Sequence, residues 1–183
     1  MRAAGFLITA LLAALIPVSA GLQFGQICSG NPTNRIRGLD LKGSGHYGAP
    51  RAGGSRNHSG VDFECEDGSE VYAPFDLTIT NRTRPFGNPT MAAINDGISF
   101  TAEDICFQLF AMKPHKTSGE VKKGEKIGTM LPMQSVFPGI ISHVHFQKCD
   151  KSDPTEIISS QDSCWDRLVL RGSVVARALR RIP

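Results

Sequence analysis

Glycine and proline punctuate this sequence so densely, at 19 and 11 of 183 residues, that a long helical bundle is excluded and many short elements joined by turns are expected. Residues 61–63, 70–80, 97–101, 105–112 and 143–148 are rich in β-branched or aromatic residues and bounded by Gly, Pro, Asn or Asp, so they read as strands. Within residues 121–128 a Lys-Gly turn joins two short strands. Residues 21–47 are polar and Gly-rich, with Gly43-Ser44-Gly45 as a loop signal, and are expected to wrap a core rather than form one. The expected class is mainly β and antiparallel, with little helix. A hydrophobic fraction of 40% supports one core and excludes disorder throughout, and the length excludes two large domains.

The two ends differ from the middle. Arg2 precedes an apolar run over residues 3–18, broken by Pro17, and Val18-Ser19-Ala20 offers the small residues a signal peptidase reads. Residues 1–20 therefore read as a secretory signal peptide cleaved after Ala20. The alternative, a membrane anchor, needs about 20 apolar residues, and this run is shorter. No later stretch reads as a membrane span. From Thr155 the chain becomes a polar segment and then a stretch containing Trp165, Leu168, Val169, Val175 and Leu179, interrupted at Gly172-Ser173. For residues 155–183 a docked helix, a disordered extension and an unusual gene model or splice form compete, and the second and third are preferred. The formal charge of +3 belongs to these ends, because residues 21–154 hold 14 basic and 14 acidic residues. A nucleic-acid reading based on net charge fails for the domain.

A secreted chain meets an oxidising compartment, where cysteines tend to pair. Cys28, Cys65, Cys106, Cys149 and Cys164 are odd in number, with neither CxxC nor zinc-finger spacing, so at least one is unpaired or pairs outside the chain. Asn57-His58-Ser59 and Asn81-Arg82-Thr83 are possible glycosylation sites, of which Asn81 is preferred because Asn57 adjoins a metal-capable histidine.

Two segments concentrate the metal-capable residues: His58-Ser59-Gly60-Val61-Asp62 and His143-Val144-His145. Zinc accepts imidazole nitrogen and carboxylate oxygen, and three protein ligands leave a fourth position for water or substrate. Residues two apart in a strand share a face, so His143 and His145 can enter one cleft together. Either segment alone more often reflects surface polarity or strand alternation, whereas their combination in a secreted β-rich chain is informative.

These segments, with Val71-Tyr72-Ala73-Pro74-Phe75-Asp76, residues 121–128 and Ser142-His143-Val144-His145-Phe146, resemble in order and spacing the lysostaphin-type (M23) zinc metallopeptidase family. The closer resemblance, over roughly residues 21–155, is to its secreted vertebrate branch, the family of leukocyte cell-derived chemotaxin 2 and the myeloid protein mim-1. Pro138-Gly139-Ile140, Cys149-Asp150 and Ser152-Asp153-Pro154 also carry it. The resemblance implies an antiparallel sheet or β-barrel-like core with long loops, stapled by disulfides, over residues 21–154. It implies Zn2+ held by His58, Asp62 and His145, with His143 as the remnant active-site histidine. Active members carry another histidine in a Tyr-x-His-Leu pattern; here Phe110-Ala111-Met112-Lys113 stands there, and Met112 cannot handle a proton. His115 lies three residues on, about 10 Å of extended chain with Pro114 between, and is a poor substitute. The resemblance also implies the pairs Cys28–Cys65 and Cys106–Cys149, the first worth about 3 to 4 kcal/mol through the unfolded chain. Leu39 and Ser44 stand where a third pair would be, and Cys164 remains for an intermolecular bond or a free thiol.

Three functions compete. The preferred one is a secreted, cytokine-like signalling protein, chemotactic for neutrophils and other leukocytes, acting through cell-surface receptors as a pseudo-peptidase whose zinc is structural. The second is an active secreted zinc endopeptidase cutting Gly-rich peptides, with His143 assisting. The third is a passive binder of peptide or glycan in the old groove.

Overall fold

Among the described residues, 21–159 of the computed structural model, the chain lays down short strands in the order β1 (Pro50–Arg51), β2 (Arg56–Asn57), β3 (Val61–Glu64), β4 (Glu70–Tyr72), β5 (Leu77–Thr83), β6 (Gly97–Ala102), β7 (Ile105–Phe110), β8 (Met112–Pro114), β9 (Gly119–Val121), β10 (Lys126–Met130) and β11 (His143–Lys148). A short helix, α1 (Thr155–Ser159), follows. The signal-peptide reading, Cys164 and the remainder of the C-terminal extension lie outside the described residues.

Every strand pair is antiparallel. β3-β11-β7-β6-β5-β9 form one six-stranded sheet, β4-β10-β8 a second of three strands, and β1-β2 a small ribbon. The fold is mainly β with two disulfides, as expected, but the large sheet is open rather than closed into a barrel: β3 and β9 remain its edges. The β3 edge is covered by the N-terminal segment, where Arg37 N–H donates to Asp62 O at 2.8 Å and Glu64 N–H to Arg35 O at 3.0 Å. Such cover removes the exposed edge without closing the sheet.

Two expected strands are each divided between the sheets. Residues 70–80 break at Ala73–Asp76, where Pro74 lacks an N–H for the ladder, so β4 joins the small sheet and β5 the large one. Residues 105–112 break at Ala111, whose φ of 63° turns the chain out of β7 into β8. The Lys123-Gly124 turn between β9 and β10 also serves as a crossing: β9 pairs with β5, whereas β10 pairs with β4 and β8, so the two do not form a hairpin.

The core is aromatic. Phe63, Phe75, Phe100, Phe107 and Phe146 are each 2% exposed or less, and Phe107 and Phe146 lie with ring centroids 5.2 Å apart. The N-terminal segment does more than wrap this core. Phe24 packs 5.3 Å from both Phe63 and Phe146, and Ile27 is fully buried. Buried Asn34 fastens the segment on itself, accepting from Ile27 N–H and donating to Gly25 O. Cys28–Cys65 and Cys106–Cys149 are the disulfides, the first tying this segment to the end of β3 and the second tying β7 to the end of β11.

Candidate metal centre

β11 sorts its side chains by alternation. Val144 and Phe146 enter the aromatic core, while His143, His145 and Gln147 take the opposite face. Asp62 of β3 stands directly across from His145 and shares that face. His58 comes from the turn before β3, which can lie against β11 because residue 60 is glycine: a Cβ there would stand 2.4 Å from Phe146 O.

Three atoms converge. His58 Nε2 lies 3.1 Å from Asp62 Oδ1 and 3.0 Å from His145 Nδ1, and that Nδ1 lies 2.9 Å from the same Oδ1. The far side of each ring offers its hydrogen a second partner. His58 Nδ1 faces the carbonyl oxygen of His46 at 2.9 Å, and His145 Nε2 faces Gln147 Oε1 at 2.9 Å. With no ion bound Asp62 Oδ1 accepts from the inner side, but both outer partners are acceptors too, so each neutral ring has a tautomer with its hydrogen outward and its lone pair inward. Two imidazole lone pairs and one carboxylate oxygen then share a space with no hydrogen among them, an arrangement that calls for a cation. Four atoms about 2.0 to 2.1 Å from a tetrahedral zinc stand about 3.3 Å apart, close to these separations. The residues present thus fit a three-ligand zinc site.

The other oxygen of Asp62 is engaged elsewhere. Arg37 Nη2 donates to Oδ2 at 3.0 Å and Arg51 Nη2 donates to it at 3.2 Å. Arg37, 1% exposed, also reaches Asp40 Oδ2 at 2.6 Å and donates to Gly43 O at 2.7 Å. The result is an alternating buried row of Asp40, Arg37, Asp62 and Arg51 that leaves Oδ1 free for metal. Burial alone would push the Asp62 carboxyl up, but with no ion bound the hydrogen bonds that His145 and His58 donate to Oδ1, with the field of His143, hold it well below the usual carboxylate range. Neither arginine nor Gln147 figured among the sequence candidates. Gln147 continues the alternation of His143 and His145 and could have been found by it; the buried arginines sit in irregular or two-residue segments with no periodic signal.

His143 lies beside the three ligands. Its Nδ1–H donates to Ile141 O at 2.7 Å, and Nε2 stands 3.7 Å from Asp62 Oδ2. Burial pushes this imidazole below the usual histidine range, against the pull of Asp62. Its neighbours form a cleft of about 820 Å³.

Met112 does not face this cleft. It is fully buried in the hydrophobic core, because the turn at Ala111 carries it into β8 opposite Met130. The wall at this level consists of Phe110 and Ala111, and Phe110 stacks on His145 with 2° between ring planes and centroids 5.5 Å apart. The absence of a proton-handling side chain there is therefore a property of Phe110 and Ala111, a correction to the role assigned to Met112. His115 is exposed, bonded to Thr129 Oγ1 at 3.2 Å, and stands outside the cleft lining. Asn57 and Asn81 are both exposed, Asn57 adjoining His58 at the cleft and Asn81 on β5. Leu39 is 82% exposed. Among the described residues no helix is long and apolar enough to cross a membrane.

No protein-family model matches the chain. It is 46% identical over 143 residues to the leukocyte cell-derived chemotaxin-2 of Mus musculus, which covers 78% of this chain and 92% of the mouse protein. Identity to the Bos taurus chemotaxin-2 is 46% over 147 residues, covering 80% and 95%. The myeloid protein 1 of Gallus gallus is 48% identical over 130 residues, covering 70% of this chain but 39% of the chicken protein. Among solved structures, Helicobacter pylori Csd3 superposes with a TM-score of 0.49 at 16% identity, over 90% of this chain and 45% of Csd3. CbpA of L. salivarius REN superposes with a TM-score of 0.44 at 17% identity, over 78% and 87%.

Proposed function

The chain belongs to the family of leukocyte cell-derived chemotaxin-2 and myeloid protein 1, and on that premise we propose that it is a secreted signalling protein that attracts leukocytes, chiefly neutrophils, through cell-surface receptors. Its scaffold is a catalytically impaired relative of the lysostaphin-type peptidases, with zinc held by His58, Asp62 and His145. One observation carries the reading: three converging ligand atoms lie beside a cleft wall, Phe110 and Ala111, with no side chain able to transfer a proton. Bound zinc would cross-link the His58–Asp62 turn to β11 and so contribute its binding energy to folding. The chain's own part is to hold the three donors in register: Gly60 lets the turn approach, Arg37 and Arg51 fix the carboxylate, and the outward hydrogen bonds fix both rings. The paired cysteines support an oxidising, extracellular setting.

A second reading, an active zinc endopeptidase, draws on His143, whose Nε2 faces the cleft from a ring held in its neutral form. The test is to incubate zinc-loaded protein with a pentaglycine substrate and, separately, to measure neutrophil migration. The expected result is migration without appreciable turnover. A missing proton-transfer group typically removes about 10² to 10⁴ in rate, so turnover matching an active lysostaphin-type enzyme would overturn the signalling reading. The His58→Ala variant is expected to lose zinc and weaken migration; full migration by that folded, zinc-free variant would make the ion incidental to signalling.

A further inference from the structure

Gln147 is 6% exposed and belongs to no ligand set, yet its amide sits at the end of a ladder of side chains crossing three strands. Ser99 of β6 is paired in register with Gln108 of β7, and Gln108 with Gln147 of β11. Gln108 Nε2 donates to Ser99 Oγ at 3.2 Å, and Gln147 Nε2 donates to Gln108 Oε1 at 2.9 Å. The remaining oxygen, Gln147 Oε1, accepts from Ser59 Oγ at 3.1 Å and faces His145 Nε2 at 2.9 Å. Ser59 belongs to the turn that delivers His58, so Gln147 touches both arms of the metal centre.

We propose that Gln147 is a positioning residue for a divalent cation. With its N–H committed to Gln108, it presents only an acceptor to His145 Nε2, keeps the ring hydrogen on that nitrogen and leaves the Nδ1 lone pair for the metal. An amide turned the other way would offer N–H to Nε2, move the ring hydrogen to Nδ1 and point it into the ligand space. The inference rests on the metal-centre reading above, and it assigns to Gln147 and Gln108 a role in metal affinity that contact with the ion would not reveal. Partners that orient a ligating histidine in this way are typically worth about 10- to 100-fold in metal affinity.

The full secreted chain, ¹⁵N-labelled and stripped of metal, tests this by long-range ¹H–¹⁵N correlation spectra, which report the His145 tautomer, and by zinc competition against a chromogenic chelator. Gln147 Oε1 and Asp62 Oδ1 each face one nitrogen of this ring, so the parent is expected to show a larger Nε2–H share than a variant without the Gln147 acceptor. Gln147→Met, which keeps length without hydrogen bonds, is expected to shift the ring toward Nδ1–H and bind zinc about 10- to 100-fold more weakly. Gln147→Glu restores an acceptor and should recover both tautomer and affinity, with Gln108 turning its amide to donate. Gln108→Leu should fall between. A folded Gln147→Met protein whose tautomer balance and zinc affinity match the parent's overturns the proposal. If the parent binds no zinc but Gln147→Met still shifts the tautomer, the metal-centre reading falls while the assignment of Gln147 to His145 stands.

Discussion

Asp62 divides its carboxylate between two tasks, Oδ1 facing the imidazoles and Oδ2 holding Arg37 and Arg51. Removing it therefore deletes a ligand and strands buried cations. Arg51 loses its carboxylate partner, and Arg37, at 1% exposure, keeps Asp40 and the carbonyl of Gly43. Breaking a buried pair from one side costs about 3 to 5 kcal/mol, far more than an exposed pair is worth. Asp62→Ala is thus expected to lose about that much stability by chemical denaturation even without metal. His58→Ala, which strands no charge, should lose zinc with a smaller change in the metal-free protein. Equal stability of the Asp62→Ala and parent proteins, both stripped of metal, would mean that the arginines find compensation outside the row described.

At the scale of elements, what could be read in advance was what alternation encodes. β11 forms over the residues expected, and period two places His143 and His145 on one face because Val144 and Phe146 must enter the core. Pairing of β3 with β11 brings Asp62 opposite His145, and glycine at position 60 admits the turn bearing His58. The breaks were not legible. Residues 105–112 look like one strand because Ala111 has no local signal for positive φ; its conformation is imposed by the crossing between sheets, where Leu131 N–H donates to Ala111 O at 2.9 Å. That error misplaced Met112, since one residue of left-handed backbone changes which side chain meets the cleft. The strain is testable. A β-branched residue at φ 63° is a true outlier, so Ala111→Val should cost about 1 to 3 kcal/mol. Ala111→Gly relieves about 1 to 2 kcal/mol of left-handed strain but loses about 0.8 kcal/mol of methyl burial and about 0.4 to 1 kcal/mol to unfolded-chain entropy, so it should be nearly neutral. Denaturation midpoints in which valine is tolerated as well as glycine would show that the turn at Ala111 is not what fixes Phe110 and Met112.

Across the whole molecule, folding, proton binding and metal binding draw on the same few buried groups, and because residues 21–154 balance 14 basic against 14 acidic side chains, no net charge beyond that of the histidines builds up on them until the carboxylates begin to protonate. The sign follows from where each buried group sits. Burial lowers His143 from its ordinary value of 6.5, so as pH falls below that value the unfolded chain takes up a proton that the folded protein refuses, and stability drops until the depressed folded value is reached. Asp62 is held well below 3.8; its contribution is complete above that value and is lost as pH falls toward its folded value. The metal-free protein should therefore weaken in two stages, one below about pH 6.5 and one below about pH 3.8. His143→Gln should reduce the first stage and leave the second. With zinc the fall should be steeper, because protons compete with the ion for the imidazole lone pairs, and chelator at neutral pH should bring the loaded protein down to the metal-free curve. Denaturation midpoints measured from pH 7.5 to 3 with and without chelator read all of this at once. A metal-free midpoint that stays flat between pH 7 and 5, in the parent as in His143→Gln, would mean that His143 is not kept neutral by its burial beside Asp62, and with it would go the support this ring lends to an active peptidase.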